Sequence, residues 1–186
     1  MPLRFTAETL TMRRRTWALL GMATAVLAGC ATRQPPPPGA DLLTGRLILQ
    51  IGASASQPPR QWSAGFELRG SARTGELDLT SPLGTVVAQA RWQPGQAELL
   101  QGPESMRFEG LAELSRQLLG EAVPLEALFD WLRGRPAPQA PHQLTSSGFV
   151  QQGWNIEITG LAEGLFIARR TSEPAITLRA RLEGAP

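Results

Sequence analysis

Between Gly75 and Trp92 the chain alternates apolar and polar residues so strictly that one local structure fits. Leu77 and Leu79 alternate with Glu76 and Asp78; Val86, Ala88, Ala90 and Trp92 alternate with Val87, Gln89 and Arg91. Successive side chains of a strand point to opposite faces, so each half presents one apolar and one wet face. Ser81-Pro82-Leu83-Gly84 joins the halves. Pro82 presets one backbone angle and Gly84 tolerates unusual ones, which makes a stiff hairpin turn. Leu83 stands at its tip. It either folds back onto the strand ends or is held out toward an apolar partner such as a membrane or a lipid.

The same period recurs along the chain. Residues 43–51 place Leu47, Leu49 and Ile51 on one face and Arg46, Ile48 and Gln50 on the other. Residues 61–69 set Trp62, Ala64, Phe66 and Leu68 against polar neighbours. Strands are also expected at 96–100, 106–109, 148–150, 154–159, 165–169 and 175–183. Short strands at this spacing with tight turns predict an antiparallel sheet or barrel. The period changes twice. Leu111, Leu114, Leu118 and Leu119 recur at helical spacing before Gly120. PLEALFDWLRG opens on Pro124, with Leu125, Leu128, Phe129 and Leu132 as its apolar stripe and Trp131 beside it. Residues 136–147 read as a polar, proline-rich crossing.

The N-terminus bears on compartment. Arg13-Arg14-Arg15 precede an apolar run from Trp17 to Val26, ten residues long. That is too short to span a bilayer and has the form of a signal-peptide core. It ends Leu27-Ala28-Gly29-Cys30, where small residues suit a signal peptidase and the only cysteine follows them. Met12 is an alternative start. Four consecutive prolines, Pro35 to Pro38, then form an extended spacer. The expected organisation is a signal peptide over 1–29, an acylated terminus and tether over 30–42, and one folded domain over 43–186.

Composition excludes several functions. The formal charge is +2, but four arginines and one acid precede Cys30, leaving 14 arginines against 15 acids and a net of −1. No basic footprint for nucleic acid remains. With one cysteine and one histidine, His142, the chain cannot assemble a zinc site from those residue types alone. His142 lies beside no nucleophile motif such as GxSxG. No catalytic residue, no metal and no cofactor are expected.

LAGC at 27–30 resembles the bacterial lipobox. Together with GELDLTSPLGT at 75–85 and P-L-E-A-L-F-D-W-L-R-G-R-P at 124–136, it makes the chain similar to the outer-membrane lipoprotein receptor family LolB. The resemblance implies a mainly β fold, a half-open antiparallel β-barrel of about eleven strands covered by α-helices. It implies that Cys30 is diacylglycerylated and N-acylated. It implies an outer-membrane anchor facing the periplasm, since no aspartate follows Cys30. The implied partners are a soluble LolA-like carrier and client lipoproteins, and the expected state is a monomer. Leu83, flanked by Pro82 and Gly84, matches the family's membrane-transfer loop. Candidate acyl-chain cavity residues are Leu47, Leu49, Trp62, Phe66, Leu77, Leu79, Leu128, Trp131 and Trp154; each either lines a cavity or fills a solid core. The alternatives are a lipoprotein of similar shape carrying other lipids, or a structural assembly factor.

Overall fold

The computed structural model describes residues 42–184. Six strands come first: β1 (Leu42–Ile51), β2 (Arg60–Gly70), β3 (Gly75–Thr80), β4 (Val86–Gln93), β5 (Gln96–Gln101) and β6 (Glu104–Phe108). Two helices follow, α1 (Leu111–Leu119) and α2 (Leu125–Trp131). Five strands close the chain: β7 (His142–Thr145), β8 (Gly148–Gln151), β9 (Trp154–Glu157), β10 (Leu165–Arg170) and β11 (Ile176–Glu183). All eleven form one sheet in the order β6-β5-β4-β3-β2-β1-β11-β10-β9-β8-β7. Every described pairing is antiparallel, and β6 and β7 are left as the two edges. The barrel is therefore half-open, with the helices inserted in the chain between its two edge strands.

The alternation fixes which face is inside. Ala64, Phe66 and Leu68 of β2, Leu77 and Leu79 of β3, and Ala88, Ala90 and Trp92 of β4 are buried. Their neighbours carry the outer polar ladder, where Arg69 pairs with Asp78, and Gln89 donates to the same carboxylate at 2.9 Å. The final strand closes the sheet centre by pairing with β1, Leu49 opposite Leu178 and Ile51 opposite Ile176.

Three expectations are corrected. Residues 142–145 form β7 rather than a crossing; all four are exposed, so no apolar alternation marks them, and backbone pairing to β8 makes the strand. His142 stands on that exposed edge, its ring 6.4 Å from Phe149. The second helix ends at Trp131, with a turn closed by the Gly134 amide donating to the Trp131 carbonyl at 2.9 Å. In the hairpin, the register shifts between Leu79 and Thr80: Leu79 faces Ala88 while Thr80 faces Val86. The extra residue makes a β-bulge, and Val86 joins Val87 in exposure instead of the inward set.

Candidate functional site

The turn after β3 is tightly braced. The Gly84 amide donates to the Ser81 carbonyl at 2.9 Å, and the Ser81 amide donates to the Thr85 carbonyl at 2.8 Å. The Thr85 amide also donates to Ser81 Oγ at 3.3 Å. Pro82 at the second position and Gly84 at φ +82° fit this closure, since a left-handed backbone favours glycine. Leu83 is 94% exposed. The turn holds it away from the core, so folding back onto the strand ends is not what the structure shows. The bulged pair Val86 and Val87, each 46% exposed, extends the apolar surface from Leu83 along the start of β4.

A second feature lies inside. Leu47, Leu49, Trp62, Phe66, Leu77 and Leu79 from the sheet face Leu128 from α2 around one cavity. These are seven of the nine residues singled out in the sequence. Leu68, Trp92, Leu178 and Ala180 complete the sheet side; Leu119, Val123, Leu125 and Leu132 complete the helical side. Every lining side chain is apolar. Leu68 and Trp92 were legible from the inward alternation, whereas Val123, in the connection between helices, carried no periodic signal.

The other two, Trp131 and Trp154, sit elsewhere. Their rings pack 6.2 Å apart at the end of α2, 0% and 2% exposed, and Trp154 borders a separate recess beside Arg170. The Trp131 indole N–H donates to Gln151 Oε1 at 2.7 Å. The Ala137 amide donates to the same oxygen at 2.9 Å, while the Gln151 amide nitrogen donates to the Ala137 and Ala140 carbonyls. A buried indole needs an acceptor and a buried amide needs partners. This network ties α2 to β8. Phe129 meets Trp92 edge-on at 5.7 Å, so the helix is held at both ring contacts while Leu125 and Leu128 roof the cavity.

The cavity measures about 50 Å³. An apolar void of about 150 Å³ accepts one benzene, so the space between sheet and helices is narrower than that. Cys30 and the tether lie outside the described residues, and among the described residues no cluster of potential metal ligands occurs.

The family model for "Outer membrane lipoprotein LolB" matches residues 47–172, which include the hairpin and both helices. An outer-membrane lipoprotein LolB of Bordetella petrii is 32% identical over 91% of this chain and 92% of its own length. Those of Chromobacterium violaceum and Bordetella pertussis are 32% and 35% identical, over 74% and 73% of this chain and 78% and 73% of theirs. On these matches, over most of its length, the chain belongs to the LolB family of outer-membrane lipoproteins.

Proposed function

We propose that the protein is a lipoprotein receptor held in the outer membrane by an acylated Cys30, facing the periplasm. It takes acylated lipoproteins from a soluble LolA-like carrier between its sheet and helices, then releases them into the membrane. The observation that carries this reading is the all-apolar chamber roofed by α1 and α2, beside a braced turn that displays Leu83. Each methylene moved from water into such a chamber gains about 0.8 kcal/mol. Several chains therefore need a dry shelter in transit. Two or more acyl chains also give a stable anchor, where one gives marginal binding.

Leu83 alone contributes about 0.5 kcal/mol on entering a bilayer. It is too weak to anchor and serves to disturb the surface locally, so that chains leave the chamber into lipid. The reading requires no covalent chemistry.

The test follows a labelled lipoprotein from carrier to this protein and on to vesicles. Leu79→Glu, which places a carboxylate in the chamber wall, abolishes acceptance. Leu83→Glu accepts normally and delivers slowly. No uptake by the unaltered protein, even with a loaded carrier present, overturns the receptor reading.

A further inference from the structure

A second, larger recess lies on the outer face of the sheet, at the foot of the Leu83 turn. It measures about 490 Å³ and is walled by Thr44, Arg46, Ser63 and Thr80, with Ser81 and Pro82 over one end. Its floor is opened by Gly65. A Cβ there would meet Thr80 Oγ1 at 2.4 Å, so the glycine lets the Thr80 hydroxyl lie over the β2 backbone at the recess floor. β3 pairs with β2 only from Gly65 onward, so β2 runs on past the turn and the recess occupies that step.

Its charge is unusual. Arg46 stands directly opposite Arg181 across the β1–β11 pair, and Arg179 follows two residues away on the same face, opposite Ile48. Like charges directly across a sheet destabilise it. No ion pair of Arg46, Arg179 or Arg181 is formed among the described residues, although seven other pairs are. Two acids also line the recess, each opposite Thr44: Glu67, which is paired with Arg69, and Glu183 across the β1–β11 pair, so the positive side of the recess is the Arg46 end. Ile48 and Leu165, 37% and 41% exposed, lie among the arginines.

We infer that this recess seats the phosphate of an anionic bilayer phospholipid. The inference rests on the reading of Leu83 as a membrane-contacting residue. A turn that puts Leu83, Val86 and Val87 into the surface brings the recess at its foot to headgroup level. Arg46 then meets a phosphate with its guanidinium, the Thr44, Ser63 and Thr80 hydroxyls supply further donors, and Arg181 and Arg179 add attraction to an anionic leaflet. Docking through this face sets the orientation in which the chamber empties into lipid.

The test uses the full acylated chain in phosphatidylcholine vesicles, with or without phosphatidylglycerol. Gln61→Cys, exposed on β2 two residues from Ser63 and outside the recess wall, carries a fluorophore; Cys30 is blocked by acylation. The readout is quenching by a headgroup-nitroxide lipid. Phosphatidylglycerol increases the quenching, high salt removes the increase, and Arg46→Gln with Arg181→Gln lowers the docking equilibrium about fivefold per arginine. Circular dichroism confirms the variants are folded, as exposed positions predict. Quenching indifferent to both phosphatidylglycerol and the arginines overturns the inference. So does slower acceptance from the carrier with quenching unchanged, which assigns the arginines to a protein partner. The two readings fail separately. Normal delivery by Leu83→Glu refutes the role of the turn, while full quenching in the arginine variant beside slow delivery by Leu83→Glu refutes the phosphate seat alone.

Discussion

Leu83 and Gln151 carry opposite burdens. Leu83 is an apolar side chain kept in water by a turn whose hydrogen bonds hold it there; Gln151 is a polar side chain kept in the core because every group of its amide is partnered. Gln151→Leu strips the Trp131 indole, the Ala137 amide and two carbonyls of their partners. Each buried orphan costs about 1–3 kcal/mol, so urea unfolding shows a loss of about 3 kcal/mol or more. Gly84→Ala tests the turn in isolation. Nothing crowds an added Cβ, so the change meets only the φ of +82° and costs about 1 kcal/mol, read from the same unfolding curve. Pro82 and Gly84 were legible in the sequence as a stiff turn; the direction in which it aims Leu83 was not, because local chemistry sets a turn's shape and its neighbours set its aim.

The helical layer is fastened unevenly. At one end Trp131 and Phe129 fix α2 through Gln151 and Trp92. At the other, Arg170 on β10 holds the connection between helices: its guanidinium donates to Glu121 Oε2 at 3.2 Å and to the Pro174 carbonyl at 3.2 Å, and lies 5.7 Å over the Trp154 ring. Arg170→Met removes these contacts. Amide exchange across residues 111–131 then quickens about tenfold while β1 and β2 keep their protection, because the change releases a local opening rather than the whole fold. Exchange rising equally in the sheet would show that helices and sheet open as one unit. The strands and both helices announced themselves by period 2 and period 3.6. β7 did not, since a strand exposed on both faces has no burial to alternate.

For the whole molecule, an apolar chamber that exists only in the folded chain has a thermodynamic consequence. A ligand that binds only the folded protein stabilises it by mass action, by about 2.7 kcal/mol at a hundredfold excess over its dissociation constant. Loading with an acylated peptide therefore raises the melting temperature, and the unacylated peptide leaves it unchanged. Leu79→Glu removes the shift. An equal shift from both peptides would place the binding outside the chamber.

Period and turn chemistry by themselves determined the antiparallel sheet, the helical insertion, the stiffness of the Leu83 turn and, Val86 apart, which side chains of the alternating strands face inward. These follow from geometry within a few residues: a strand reverses face at each step, a helix repeats every turn, and proline and glycine restrict or free their own backbone. Tertiary structure alone decided that seven of the nine inward candidates surround a cavity while Trp131 and Trp154 pack on each other outside it, that the cavity is narrow, and that Arg46 comes to face Arg181. Each depends on the meeting of segments far apart in the chain, such as β1 with β11 or α2 with β8, and inward-facing residues look alike in sequence whether they border a void or fill it.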